Sequence, residues 1–559
     1  MSTERVYLTT TIPYVNGPPH LGHALEFVQA DVLARHYRLA GHEVRFQTGT
    51  DDNSLKNVLA AEAAGIAVAE LVSRNAAVFA GLREPLALSF DDFIRTSSDP
   101  RHRPGVERLW RACAASGDLY QKDYAGLYCV GCEQFYEPAG LAGGRCPEHG
   151  TEPQRVAEKN WFFRLSRYAG RLHELISTGR LRIEPAARRN EVLGFIAGGL
   201  EDFSASRSVA RAHGWGIPVP DDPSQVIYVW WDALGNYVTA LGYGTGGEAY
   251  QRWWGGASRR IHLVGKGVLR FHAVYWPAIL LSAGLPLPTD ILVHDYLTIG
   301  GRKISKSAAG PAPARADGSG PAGAAGLSAG AAGPAAGSVA EPAALASRFG
   351  TDAVRWWLLR EVPRVGDADF TVARLIARAN DDLANGLGNL VSRVISMVHR
   401  YRQGQLRPGI DADSGVDAAA GAGAVATVAG AVATAAAGHA AADAGPLLSA
   451  CRLAPGRVGA ALGGYDFRAA TAAIWDVVDL ANRYVERAEP WRLAAAEGAG
   501  DTAAGPRLDA VLGVLILACR TLAAELAPFV PDLAARVAAA CDDSAGRLPA
   551  PRTLFPRIG

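Results

Sequence analysis

Residues 5–26 read RVYLTTTIPYVNGPPHLGHALE, and this stretch decides the fold. Arg5–Thr10 is a short run of β-forming residues. After the breakers Gly17, Pro18 and Pro19, the apolar residues Leu21, Leu25, Val28 and Val32 recur at helical spacing up to Gly41. Glu43–Gln47 then reads as a second strand, which makes a strand–helix–strand unit of a parallel sheet. Two histidines, His20 and His23, stand where the loop becomes helix. A helix start that follows a strand offers unpaired N–H groups and the positive end of the macrodipole, so it suits phosphate. Imidazole donors there can add hydrogen bonds as charge builds on phosphate oxygens. A capping histidine beside a surface histidine fits the same stretch.

Outward from this unit, helices are expected to about Gly65 and from Pro104 to Gly117. Val226–Trp231, Ile261–Val264 and Ile291–Val293 read as further parallel strands, with a helix from Val268 to Leu281. The sheet is therefore split by an insertion of about a hundred residues, and from Asp369 only helical periodicity remains. The expected organisation is a Rossmann-like α/β catalytic domain in two halves, residues 1–115 and 225–295. Between them lies a connective insertion, 116–224; residues 296–370 follow, and 371–559 form a helical domain. Residues 308–340 and 416–445 are low in complexity; the first reads as a disordered loop and the second as partly helical. One Gly-x-Gly-x-x-Gly match, Gly242–Gly247, follows a helical stretch rather than a strand and reads as a flexible loop.

Composition narrows the class. The chain has 559 residues, 49% of them hydrophobic, enough for several cores. Lys plus Arg number 56 against 55 for Asp plus Glu, so bulk charge makes no case for a nucleic-acid or membrane partner. The first residues lack a signal-peptide pattern and no membrane-length apolar run follows, which predicts a cytoplasmic protein with no membrane partner. Three of the seven cysteines are bunched as Cys129-x2-Cys132 and Cys146-x2-His149. Thiolates plus imidazole in two knuckles suit one tetrahedral zinc ion, and four protein ligands make it structural. A redox Cys-x-x-Cys pair would leave Cys146 and His149 unexplained.

GRKISKS, residues 301–307, places Lys303 and Lys306 three apart in a Gly-flanked loop after the last strand, suited to a mobile clamp on a polyphosphate. With His-Leu-Gly-His after the first strand, it resembles the paired motifs of class I aminoacyl-tRNA synthetases. TIPYVNGPPHLGHALE, FQTGTDD, KNWFFRLSRY, WGIPVP, YVWWDAL, HLVGKG, RFHAVYWPAIL and GRKISKS, in this order, resemble the methionyl-tRNA synthetase family along nearly the whole chain.

The resemblance implies formation of methionyl-adenylate from methionine and ATP, then transfer to tRNA(Met). His20, His23, Lys303 and Lys306 would be catalytic, with Glu26 and Gly265 also at the ATP. The methionine pocket would comprise Ile12, Tyr14, Asp51, Arg207, Trp230, Ala233, Leu234, Tyr237, Phe271, His272 and Trp276. A thioether favours aromatic neighbours and Asp51 can bind an ammonium group, with Arg207 orienting it. ANGLGNLVSRV and ANRYVERAEPW resemble the anticodon-reading segments, placing Asn389, Arg393 and Trp491 there. The resemblance further implies Mg2+ with the ATP, a zinc knuckle in the insertion, and a monomer, no dimerising module being recognisable.

Departures from the family pattern are Asn53-Ser54 for His-Gly, Gly267 for an aspartate expected at the ribose, and Asp295 for a glycine. They read as nucleotide-side changes expected to alter ATP geometry. A related enzyme that passes its activated amino acid to a non-tRNA amine is the alternative; the kept anticodon positions argue against it.

Overall fold

The computed structural model describes residues 3–129, 134–147, 150–304, 341–406 and 439–559. Cys132, His149, Lys306, the 308–340 tract and the 416–445 tract up to residue 438 lie outside the described residues.

The central sheet has six parallel strands: β1 Arg5–Thr10, β2 Glu43–Thr50, β3 Asp92–Arg95, β4 Arg182–Glu184, β5 Arg259–Gly265 and β6 Asp290–His294. Their spatial order is β3-β2-β1-β5-β6-β4, so the chain reverses direction across the sheet between β1 and β5. A parallel sheet is covered on both faces, and its strands are accordingly buried along most of their length. Alternation sorts the side chains. Val6, Leu8, Ile261, Leu263 and Leu292 enter one core, whereas Tyr7, Val264, Ile291 and Val293 enter the other. The first core holds helix α1, Leu21–Leu39, and continues without a break into the C-terminal helices through Trp356, Leu390, Ile474 and Leu515. The second holds helices His102–Ala115, Val229–Thr239 and Trp276–Ser282.

Two expectations need correction. Val226–Trp231 is not a strand of the main sheet. Asp222–Ile227 pairs antiparallel in a separate three-stranded sheet, and helix begins at Val229, because the apolar run VIYVWW serves both elements without a turn signal between them. Conversely β4, inside the stretch read wholly as insertion, closes the edge of the main sheet against β6. Its three residues are too few and too polar for periodicity to reveal them. The rest of that stretch carries a four-stranded antiparallel sheet built on the long pair Leu119–Cys129 and Gln154–Phe163.

Beyond β6, Leu297–Ile299 and Arg302–Lys303 form a hairpin closed by Gly300 and Gly301, whose φ values of 58° and 72° only glycine adopts easily in a two-residue turn. From Pro342 the described residues are mostly helical, the last two helices being Ala504–Leu526 and Pro531–Ala540. Among the described residues no helix is long and apolar enough to cross a membrane.

Candidate active site

The carboxyl ends of β1 and β5 meet where the strand order reverses, the place at which open α/β sheets bind ligands. His20 caps α1 there. Its Nδ1 accepts the Gly22 N–H at 3.1 Å while its own backbone N–H donates to His23 Nδ1 at 3.1 Å, a capping box built from two imidazoles. The rings stack with centroids 3.9 Å apart. With both Nδ1 atoms accepting, each neutral ring carries its proton on Nε2, as a donor. Gly22 is required: a Cβ would lie 2.9 Å from His20 Cε1. The capping and phosphate readings of these histidines are therefore compatible.

One turn on, Glu26 Oε1 accepts the backbone N–H and hydroxyl of Thr11 at 2.6 and 2.5 Å, and Oε2 accepts from His294 Nε2 at 2.9 Å. His294 Nδ1 donates to the Asp295 carbonyl at 2.9 Å. Burial works against a charged ring, but Glu26 and Asp295 outweigh it and raise the His294 pKa above its ordinary value. Thr11 and His294, absent from the sequence-based set, thus join β1, α1 and β6 around Glu26. Gly265 is in register with His294, and a Cβ there would touch that ring at 3.4 Å without displacing it.

Lys303, on the returning strand of the hairpin, lies over the Tyr296 ring with Nζ 3.6 Å from its centroid; Lys266 approaches the same ring at 4.4 Å and pairs with Asp367 at 2.5 Å. A Cβ at Gly267 would lie 2.2 Å from Tyr296 Oη, so the phenol fills the space a side chain at 267 would need.

The aromatic set assembles as two linked groups. Trp230 stacks on Phe271 at 3.9 Å and touches Tyr14 edge-on at 6.1 Å. Deeper, Tyr237 Oη lies 2.8 Å from His272 Nε2, and the His272 Nδ1–H reaches Val268 O at 2.9 Å. Burial pushes His272 down to about 4. The ring is neutral, and Tyr237 donates to it. His262, a second histidine missed, stacks on Tyr237 at 4.1 Å and accepts from Trp276 Nε1 at 3.3 Å. Its Nδ1 therefore carries the proton and meets Thr9 Oγ1 at 2.6 Å. Leu234 shares the core with Tyr237 and Trp276, and Ile12 packs with Ala233. Asp51, buried just beyond β2, donates its N–H to Pro13 O at 3.0 Å, which ties it beside Tyr14. The described hydrogen bonds of Arg207 run to Ser204 and Ser206, with its guanidinium 4.2 Å above the Tyr228 ring.

The departures are not all on the nucleotide side. Asn53 Nδ2 donates to Asp232 at 2.7 Å, under the amino-acid pocket, and Ser54 caps helix Leu55–Ala64 through Lys56 N at 3.0 Å. Asp295 takes Arg188 and, at 2.5 Å, the N–H of Gly366.

In the insertion, Cys129 and Cys146 are buried, and the backbone of one and the thiol of the other meet Thr151: Cys129 Sγ is 3.8 Å from its hydroxyl, and Cys146 N donates to its carbonyl at 2.9 Å. The Cys146 thiol lies 3.7 Å from Tyr136 Oη, and two buried thiols are the chemistry of half a zinc donor set. Among the described residues no group of three or more His, Cys, Asp or Glu could hold a metal. In the helical part, Asn389 and Arg393 stand one turn apart on helix Asn389–Arg402, and Arg393 donates to Asn482 Oδ1 at 2.9 Å. Trp491 opens helix Pro490–Gly498 with 44% of its surface exposed.

A family model described as class I tRNA synthetases (M) matches residues 6–157, 136–310 and 334–395. The methionine–tRNA ligase of Mycobacterium bovis is 38% identical over 95% of this chain and 91% of its own length; that of Brucella suis is 37% identical over 100% and 98%. A solved structure of Mycobacterium tuberculosis methionyl-tRNA synthetase in complex with methionyl-adenylate superposes with a TM-score of 0.83 at 35% identity, covering 99% of this chain and 100% of that one.

Proposed function

The chain belongs to the class I tRNA synthetases that ligate methionine, and from that premise we propose how its residues activate methionine with ATP and charge tRNA(Met). A methionine carboxylate oxygen bonds to the α-phosphorus of ATP as the bond to the β-phosphate oxygen breaks and pyrophosphate leaves; the terminal adenosine of the tRNA then displaces AMP. No covalent enzyme intermediate is needed. The protein's contribution is position and charge.

His20 and His23 direct Nε2–H donors at the phosphates from the α1 N-terminus, and Lys303 and Lys306 close from the hairpin side. Glu26 and Gly265 line the nucleotide side, with Glu26 keeping His294 and Thr11 in place. Mg2+ enters with ATP as part of that substrate. Asp51, oriented by Arg207, receives the α-ammonium. Ile12, Tyr14, Trp230, Ala233, Leu234, Tyr237, Phe271, His272 and Trp276 enclose the thioether, whose sulfur suits aromatic edges.

Cys129, Cys132, Cys146 and His149 would hold one zinc ion; with no open position it supplies folding energy to the connective module. Asn389 and Arg393 read anticodon base edges and Trp491 stacks on an unpaired base. We assign residues 1–115 and 225–295, with β4, to the catalytic domain, the rest of 116–224 to the connective module, 296–370 to the lysine loop and stem contact, and 371–559 to anticodon binding. The enzyme acts as a cytoplasmic monomer. Transfer to a non-tRNA amine finds no support, since the relatives described above are methionine–tRNA ligases.

The observation that carries this reading of the site is the imidazole capping box at the strand-order reversal. The test is ATP–pyrophosphate exchange across the amino acids: methionine should drive exchange and the others should not. Exchange driven equally by leucine or isoleucine would refute the pocket assignment.

A further inference from the structure

Asn53 is a neutral amide set between carboxylates of two different elements. Its backbone N–H donates to Asp51 Oδ1 at 3.2 Å, and its side-chain Nδ2 donates to Asp232 Oδ2 at 2.7 Å. Asp232 lies on helix Val229–Thr239, is 1% exposed, and takes His102 Nε2 on its other oxygen. His102, itself fully buried, is held through Nδ1 at 2.7 Å from Thr239 Oγ1. The turn is secured elsewhere too: Asp52 N donates to Thr96 Oγ1 at 2.8 Å, and Asn57 Nδ2 reaches the Asp51 and Asp52 carbonyls at 3.0 and 2.9 Å. These contacts fix the backbone. The link through Nδ2 is what ties the Asp51 turn to the helix under the amino-acid pocket.

The charges around Asn53 are numerous. From its own turn come Asp51 and Asp52, the latter met by Arg95 at 3.2 Å and Ser97 at 2.6 Å. Lys56 follows in the next helix, over Tyr14. Asp232 and His102 face it from two helices, and Arg207 and Arg211 line a cavity of about 30 Å³ beside it. An amide can donate to Asp232 without adding charge. A carboxylate there would meet Asp51 and Asp232 together, and like charges in a buried cluster oppose ionisation.

We propose that Asn53 is a positioning residue for the amino acid: its side-chain amide, anchored on Asp232, sets the backbone N–H that bonds Asp51 Oδ1 and so holds that carboxylate ready to receive the methionine α-ammonium. The inference rests on the reading of Asp51 given above. It moves this departure from ATP handling to methionine binding, and no group transfer passes through Asn53.

The test is Asn53→Asp, nearly isosteric, in pyrophosphate exchange. The introduced carboxyl can still donate to Asp232 while it is protonated, and loses that donor once it ionises. Methionine KM should therefore be raised about tenfold at pH 8 and approach wild type near pH 6, while ATP KM stays within about twofold. Combining Asn53→Asp with Asp232→Asn restores one amide and one carboxylate and should recover most of the loss. Asn53→Ser, which shortens the side chain without charge, should raise methionine KM with no added pH dependence, and it decides the matter if the aspartate variant does not fold. A methionine KM unchanged in both single variants, or an ATP KM rising equally, would overturn the proposal. Wild-type enzyme lacking methionine-dependent exchange would instead overturn the reading on which it rests.

Discussion

Arg355 and Asp31 form an ion pair at 2.8 Å with both side chains fully buried, and the same guanidinium donates to the carbonyls of Leu86, Pro528 and Phe529, each at 2.8 Å. One side chain thus fastens α1, which carries the capping histidines, to the loop before β3 and to the end of the long C-terminal helix. Replacing it by methionine removes these contacts and leaves the buried Asp31 with Ser89 and with the partly exposed Arg35, at 2.7 Å. Losing one partner of a buried pair costs about 3–5 kcal/mol. Arg355→Met should unfold at clearly lower denaturant concentration.

The pH dependence of that difference has a definite sign. Burial alone would raise the Asp31 pKa, but Arg355, Arg35 and Ser89 overcome it and hold the carboxyl below its ordinary value. A depressed carboxyl contributes stability above its unfolded pKa of about 4, and that stability is lost as pH falls through the folded value. The gap between wild type and Arg355→Met should be full at neutral pH and narrow in acid. A gap that widened below pH 4 would contradict the pairing.

Gly22→Ala tests the capping histidine. A Cβ 2.9 Å from His20 Cε1 forces the ring aside. Alanine favours helix by up to about 1 kcal/mol, and a lost cap costs about as much, so stability should hardly move. Adenylation, which needs the ring in place, should fall about a hundredfold. Full activity would show that His20 is only a cap.

Gly267→Ala should destabilise the protein by about 1–3 kcal/mol, because its Cβ meets Tyr296 Oη at 2.2 Å. The phenol carbon behind that oxygen would lie 3.4 Å away, so Tyr296→Phe in the same chain should relieve most of the cost. Additive losses in the double variant would place the clash elsewhere.

Chain order and periodicity made part of this legible. β1 and α1 fall at the expected residues because six β-forming residues, two prolines and a helical apolar stripe leave little choice. Val226–Trp231 misled because aromatic and branched residues serve a strand and a buried helix alike. His262, in the middle of β5, and His294, at the end of β6, stayed out of the sequence-based set, since their roles come from Tyr237, Trp276 and Glu26, which only the fold brings to them. Asn53 was visible as a departure, but the side on which it acts was not: Asp232 is 179 residues away along the chain.

The central claim is charging of tRNA(Met), and its most direct measurement is acylation of purified methionine tRNA by wild type and by Trp491→Ala, with pyrophosphate exchange run in parallel. Trp491 is 44% exposed, so its removal should leave the fold intact while deleting a stacking contact worth about 1–3 kcal/mol. The account predicts that wild type charges the tRNA with methionine, and that the variant keeps exchange but charges at least about fivefold more slowly. Methionine-dependent exchange with no charging by the wild-type enzyme would contradict it.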